Sequence, residues 1–256
     1  MHKSLLVVDW DYFFPNPIEG ARLKKDHSYG MYDWGHYEST LMIEHIWYSR
    51  AFPFIQRDLD LPGVNTRWKK FAERFNLSED ASVLVADSNA HSGDLLDIDG
   101  DPFSDVWLFD NHHDSGYKQK TWAEWLAKAR TEEGGFQYSC EDWMLIHYMQ
   151  GAQLHWRWPT WNRSSHRSNW PKGVEVDAKV DDLKPMDEEF DTLFICRSGA
   201  WVPPWEDDKF IDFVGTWDRD TEQVDEVKLN GHFDLALATL QGEMIKRQIA
   251  EMQTIQ

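Results

Sequence analysis

Residues 4–11 read SLLVVDWD, and our prediction of the fold class begins with them. The aliphatic run within Ser4–Val8 is typical of a strand that is buried on both faces, as the strands of parallel sheets are. Two acidic residues, Asp9 and Asp11, follow this run directly. We therefore expect a fully buried strand whose carboxyl end carries carboxylates.

Similar runs recur along the chain and alternate with helical patterns. The further strand candidates are Ser82–Ala86, Asp105–Phe109 and Thr192–Cys196, with shorter ones at Gln153–Trp156 and Val174–Val176. The helix candidates are Tyr37–Arg50, Thr66–Phe75, Thr121–Arg130, Cys140–Met149, Asp207–Val214 and a stretch from about Phe233 to Met252. This alternation predicts an α/β fold with a mostly parallel central sheet between two layers of helices. Because we find no repeat and no sharp boundary, we expect one domain over residues 1–256.

Composition and charge exclude several classes of protein. Hydrophobic residues make up 41% of the 256 positions, which is ample for a packed core. The formal net charge of −19 repels nucleic-acid backbones and anionic membranes, so we expect no broad nucleic-acid binding and a cationic or neutral small-molecule substrate. The two cysteines show no CxxC spacing. No apolar run resembles a signal peptide or approaches the roughly 20 residues of a membrane span, so we expect a cytoplasmic protein without membrane contact.

The densest group of chemically active residues follows Asp105–Phe109. If the backbone stays extended there, Asp110, His112 and Asp114 project to one side, and His113 points away. In open parallel sheets ligands bind outside the carboxyl ends of the strands. Two carboxylates and an imidazole suit divalent metals such as Mn²⁺ or Zn²⁺. A polar turn with a hydrogen-bonded histidine is the simpler alternative.

Two other strand ends could complete such a site. Asp9 and Asp11 have the same spacing, and His91 in the turn after Ser82–Ala86 could add a neutral imidazole. A solvated acidic pair and a structural histidine remain the alternatives for these residues. The sequence thus predicts a metal site with six candidate ligands: Asp9, Asp11, His91, Asp110, His112 and Asp114.

This combination of motifs resembles the arginase–deacetylase (ureohydrolase-like) superfamily. The D-x-H-x-D of residues 110–114, the D-x-D of residues 9–11 and the separate loop histidine, His91, carry the resemblance. Asn111 stands where the family typically has alanine, and the turn at His91 lacks the family's glycines and aspartate. The D-x-D precedes the D-x-H-x-D here, whereas it follows it in arginases. The resemblance implies an arginase/deacetylase-like fold with a divergent, permuted order of motifs.

The chemistry that this resemblance implies is hydrolysis at two metal ions. Two divalent ions, expected to be Mn²⁺ with Zn²⁺ or Fe²⁺ as alternatives, would bridge a water and hold hydroxide ready to attack a planar carbon. The scissile bond would be a non-peptide C–N bond in an amidine, guanidine or acyl-amine. By the same analogy Asp11 and Asp114 bridge the ions. His113, Glu141 or Asp142 would transfer a proton to the leaving amine.

Two other functions remain open from the sequence. Residues 7–12, VVDWDY, also resemble the first motif of haloacid-dehalogenase-like phosphatases, with Asp9 as nucleophile and Asp11 as acid and base. Ser88 would then bind phosphate, and Asp110 with Asp114 would hold Mg²⁺. The other alternative is that the chain is a non-catalytic acidic binding protein. The Arg- and Trp-rich segment Arg157–Lys172 is predicted as a loop, either an ordinary surface loop or a lid.

Overall fold

One parallel sheet forms the centre of the protein, in a computed structural model that describes residues 2–15, 47, 48, 50–52, 54–56, 59–96, 99–161, 169–225, 227 and 233–254. Its strands are β1 (Ser4–Asp9), β2 (Asn76–Ala86), β3 (Asp105–Phe109), β4 (Gln153–Trp158), β5 (Val176–Val180), β6 (Glu189–Cys196) and β7 (Glu222–Gln223). Their order in space is β5-β4-β3-β1-β6-β2-β7, and every pair of neighbours is parallel. The predicted α/β class with a parallel sheet is confirmed.

The central strand β1 is buried on both faces, as its aliphatic run predicts. Leu6 and Val8 face one hydrophobic core, and Leu5 and Val7 face the other. All four side chains are fully buried. Burial of each contributes roughly 1.5–3 kcal/mol relative to exposure. The sheet therefore lies between two packed layers.

Helices and 3₁₀ turns cover these two faces. The helices with defined bounds among the described residues are α1 (Trp122–Ala129), α2 (Met144–Gln150), α3 (Asp207–Gly215) and α4 (Leu235–Thr254). The 3₁₀ segments are Trp10–Phe13, Thr66–Lys70, Ala72–Arg74, Asn89–Asp94 and Pro204–Glu206. Trp125 of α1 and Leu145 of α2 join the core of Leu5 and Val7, whereas Phe210 and Phe213 of α3 join the other core. None of the described helices is long and apolar enough to cross a membrane.

Several predicted elements differ from the structure or lie partly outside the described residues. Thr66–Phe75 forms two 3₁₀ segments instead of one α-helix, with bonds such as Phe71 N to Trp68 O at 3.1 Å. The chain enters β2 immediately afterwards, and the tight turns still bury Trp68 and Phe71. The predicted helix Tyr37–Arg50 lies mostly outside the described residues, as do residues 162–168 of the predicted loop.

A buried histidine fixes α2 to the turn that follows β2. His147 Nε2 donates to the carbonyl of Ser92 at 2.8 Å, and its Nδ1 is buried without a hydrogen-bond partner among the described residues. Burial lowers the pKa of His147 from 6.5 to about 4, and the bond to Ser92 opposes this shift only in part. The neutral imidazole is therefore the form that the fold accommodates.

This histidine should make the protein sensitive to acid. Because the folded pKa lies below the unfolded value of 6.5, the unfolded state binds the proton more readily as the pH falls. We expect His147 to lower the free energy of unfolding by up to about 3 kcal/mol between pH 6.5 and pH 4. Urea titrations in EDTA across this range measure the loss. The variant His147→Gln should lack this part of the pH dependence; an unchanged slope would contradict the assignment.

Candidate metal centre

The site is built on the parallel pairing of β1 with β3. Val8 lies opposite Phe109 in the register, so the chain leaves both strands at the same edge of the sheet. Asp9 is the last residue of β1, and Asp110 is the first residue after β3. Their exposed fractions are 3% and 1%, so two carboxylates are buried side by side where parallel sheets bind ligands.

The chain turns sharply after β1 and brings a third carboxylate, that of Asp11, to this edge of the sheet. Asp9 Oδ1 accepts the Asp11 backbone N–H at 2.8 Å and so caps the 3₁₀ segment Trp10–Phe13. Asp11, which is fully buried, is held further by Asn111: the Asn111 backbone N–H donates to Asp11 Oδ1 at 3.2 Å, and its side-chain amide donates to the Asp11 carbonyl at 2.6 Å. Asn111 thus joins the ends of the two strands, a role that our sequence analysis missed.

The segment after β3 reaches the predicted arrangement by a different backbone path. The strand ends at Phe109, and bends follow instead of the extended backbone that we assumed. Asp110 Oδ1 accepts the His112 backbone N–H at 2.7 Å, and Asp114 adopts a left-handed conformation with φ of 43°. Trp143 Nε1 donates to Asp114 Oδ2 at 2.8 Å. These bends nevertheless gather the side chains of residues 110, 112 and 114.

Three of the gathered residues are spaced to share one cation. Ligand atoms of Asp11, Asp110 and His112 all lie within 4.8 Å of one another. His112 Nδ1 lies 3.0 Å from Asp11 Oδ2 and 3.4 Å from Asp110 Oδ1. Carboxylate oxygens with one imidazole nitrogen form a donor set that Mn²⁺, Zn²⁺ and Fe²⁺ accept. The chemistry of these residues therefore fits a divalent metal.

The other two carboxylates meet around an amide that we did not predict. Asn89 Nδ2 lies 2.7 Å from Asp9 Oδ2, 3.3 Å from Asp110 Oδ2 and 3.1 Å from Asp114 Oδ2. Asn89 is the first residue of the 3₁₀ segment Asn89–Asp94, three residues after the end of β2, and only 3% of it is exposed. From the sequence, the turn after β2 could be predicted to supply a residue to the site, but we chose His91 in this turn and not Asn89.

Burial makes this concentration of negative charge costly. Desolvation, then the neighbouring Asp11, raises the pKa of Asp9 well above its usual value. Desolvation with the charges of Asp11 and Asp9 does the same to the pKa of Asp110. Burial raises the pKa of Asp114 to about 7, although His112 and the hydrogen bond from Trp143 oppose this. Buried carboxylates of this kind need a cation to stay ionised together.

The structure places the remaining predicted site residues outside this cluster. His91 is 38% exposed in its side chain, and its Nε2 lies 3.3 Å from Asp225 Oδ2. His113 is buried; its Nδ1 accepts the Ser115 N–H at 3.1 Å, and its Nε2 lies 2.7 Å from Asn169 Oδ1. The described partners of His113 thus lie outside the cluster.

The two acidic residues predicted for proton transfer also have partners elsewhere. Glu141 Oε2 lies 3.3 Å from Lys118 Nζ. Asp142 accepts the indole N–H of Trp125 at 2.8 Å and the Ser139 N–H at 2.7 Å. The cluster that the structure brings together thus consists of Asp9, Asp11, Asp110, His112 and Asp114, with Asn89.

An aromatic side chain stands beside the most accessible member of the cluster. His112 retains 18% side-chain exposure, and its ring centroid lies 5.0 Å from that of Trp201. The loop that carries Trp201 follows β6 and is anchored by Arg197, which is 2% exposed and binds both Asp207 and Asp87. Trp201 therefore lies beside His112, on a loop that begins at the buried ion pairs of Arg197.

No protein-family model, curated protein or solved structure matches this chain. The functional conclusion therefore rests on the residues and their geometry.

Proposed function

We propose that the chain is a metal-dependent hydrolase that cleaves a non-peptide C–N bond of a small molecule. The observation that carries the proposal is the convergence of four buried carboxylates and one imidazole at the carboxyl ends of β1 and β3. These are Asp9, Asp11, Asp110, Asp114 and His112. Such a cluster is costly without cations and suits Mn²⁺, with Zn²⁺ and Fe²⁺ as alternatives.

The residues of the chain divide into groups around the expected cations. Asp11, Asp110 and His112 would hold one ion, since their ligand atoms already lie close together. Asp9 and Asp114, whose Oδ2 atoms lie beside the same Asn89 amide as Asp110 Oδ2, offer oxygens for a second ion. Bound divalent ions supply Lewis acidity and lower the pKa of water toward neutrality, which is the chemistry that hydrolysis requires.

The surroundings of the cluster favour a particular class of substrate. The net charge of −19 attracts cationic molecules such as guanidines and amidines. Trp201, beside His112, offers an aromatic face for a planar or cationic group. Acyl-amines remain within the proposal because they also present a planar carbon. The transfer of a proton by His113, Glu141 or Asp142 stays a prediction.

The geometry favours a ligand role over a nucleophilic role for Asp9. In the phosphatase alternative, Asp9 must reach a phosphorus atom with a free oxygen. Here Asp9 is 3% exposed, Oδ1 accepts the Asp11 N–H, and Oδ2 accepts the amide of Asn89. Both oxygens therefore face other residues of the cluster.

Metal content tests the proposal directly. The untagged protein is loaded with Mn²⁺, desalted and analysed by mass spectrometry, together with Asp110→Ala and the exposed acidic control Asp208→Asn. About two ions per chain in the wild type and the control, lost in Asp110→Ala, support the proposal. They would justify a screen of guanidine, amidine and acyl-amine substrates. Activity on a generic phosphate ester with exchangeable Mg²⁺ would overturn the proposal and favour the phosphatase. The absence of both bound metal and activity would also overturn it and favour a binding protein.

A further inference from the structure

The 3₁₀ segment Asn89–Asp94, which follows β2, directs its first residue toward the carboxylate cluster. Ser88 caps the 3₁₀ segment Asn89–Asp94 by accepting the Ala90 N–H at 3.2 Å. Ser92 Oγ donates to the Asn89 carbonyl at 2.5 Å, and His147 holds the carbonyl of Ser92. The backbone of Asn89 is thus fixed on both sides, and its side chain has a defined position.

The two ends of the Asn89 amide have unequal surroundings. Three carboxylate oxygens, from Asp9, Asp110 and Asp114, lie within 3.3 Å of Nδ2. Oδ1 is buried and has no hydrogen-bond partner among the described residues. A buried amide oxygen without a partner costs about 1–3 kcal/mol. Rotation about the Cβ–Cγ bond exchanges the two ends, so the same side chain can direct an acceptor to this place.

Hydrogen bonds from one amide group do little to stabilise the negative charges of three buried carboxylates. The neutral NH₂ group of Asn89 offers two hydrogens to three oxygens and no net charge. A divalent cation offers the missing charge, and the amide oxygen is a ligand that Mn²⁺ accepts beside carboxylates. If Asn89 Oδ1 is turned toward the carboxylates, it gains the cation as a partner. It then provides a fourth oxygen donor beside Asp9, Asp110 and Asp114.

We propose that Asn89 is a ligand of the second cation, which it binds through Oδ1 together with Asp9, Asp110 and Asp114. Asp110 would then contribute to both sites, since its Oδ1 is near His112 and its Oδ2 is near Asn89. This differs from the resemblance, which implied that Asp11 and Asp114 bridge the ions. This inference rests on the proposed function. Asn89 would thus be the ligand that the turn after β2 provides, whereas we predicted His91 for this role from the sequence.

Three variants test this assignment in the 256-residue chain. Asn89→Leu removes both polar atoms at similar volume, Asn89→Asp keeps an oxygen, and His91→Gln is the control in the same turn. Each is loaded with Mn²⁺, and the bound ions are counted by mass spectrometry and examined by electron paramagnetic resonance. We expect two spin-coupled ions per chain in the wild type, Asn89→Asp and His91→Gln. Asn89→Leu should hold one isolated ion, with the second bound at least about 100-fold more weakly.

The outcomes separate this inference from the proposed function. Two coupled ions in Asn89→Leu would overturn the role of Asn89 and leave the hydrolase proposal standing. One ion in the wild type would also overturn it, since the amide would then occupy the second position. No ion in any variant would overturn both. Circular dichroism checks the fold, and if Asn89→Leu does not fold, Asn89→Ser, whose hydroxyl is too short to reach, replaces it with the same expected result.

Discussion

In the presence of EDTA, the variant Asp114→Asn should be more stable than the wild type by about 2–4 kcal/mol at pH 7. Burial raises the pKa of Asp114 to about 7 from 3.8. At pH 7 the folded state therefore disfavours the ionised form that this carboxyl has in the unfolded chain. Asparagine removes the charge. It keeps an oxygen that can accept from Trp143 and Asn89, and it tolerates the left-handed backbone at this position.

The stability difference between Asp114→Asn and the wild type should depend on pH. A carboxyl whose folded pKa is raised destabilises the fold as the pH rises from about 4 to 7, because the unfolded chain ionises freely there. The advantage of Asp114→Asn should therefore be small at pH 4 and largest near pH 7. Urea titrations at several pH values measure it, with Asp208→Asn as the exposed control. A variant that is less stable at every pH would show that the Asp114 charge is already compensated.

The same substitution should remove the benefit of metal. At a free Mn²⁺ concentration of about 100 times the dissociation constant, the wild type gains about 2.7 kcal/mol, or roughly 5–10 °C in Tm. Asp114→Asn should gain far less, because its amide adds no charge to the site. Stability in EDTA and stability in Mn²⁺ thus change in opposite directions. This is the pattern expected when a protein retains buried charges for function.

The second large effect is expected for catalysis by Asp11→Asn. Asp11 is fully buried, lies 3.0 Å from His112 and accepts the Asn111 N–H, a bond that an asparagine oxygen can retain. The fold should survive, while the site loses a charged ligand. Because bound metal contributes several kcal/mol to such reactions, kcat/KM should fall by at least about 10³-fold. It is measured with the substrate found by the guanidine, amidine and acyl-amine screen.

A matched substitution decides whether this loss is specific. His91→Gln lies in the turn beside the cluster, but its imidazole pairs with Asp225. Its activity should stay within about twofold of the wild type. Near wild-type activity in Asp11→Asn would place the catalytic centre elsewhere, and an equal loss in His91→Gln would return that histidine to the site.

Much of the fold could be predicted from local sequence. The aliphatic runs at Ser4–Val8, Asp105–Phe109 and Thr192–Cys196 are strands, since short runs of this kind are typical of strands buried on both faces of a parallel sheet. The helix at Thr121–Arg130 begins where Thr121 accepts the Glu124 N–H at 3.2 Å. Elements with weak periodicity were predicted less well: β2 begins at the polar Asn76, six residues before its aliphatic part.

The sequence by itself determined which strand ends carry acids and imidazoles, since these residues follow aliphatic runs directly. Only the tertiary structure decided which of them meet. The register of β1 with β3 places Asp9 beside Asp110, and the turn after β2 directs Asn89 inward and His91 outward toward Asp225. Strand order and the direction of a side chain in a 3₁₀ turn depend on contacts between residues far apart in the chain. Neighbouring residues such as Asn89 and His91 therefore offer no local signal that separates the residue facing the cluster from the residue facing away from it.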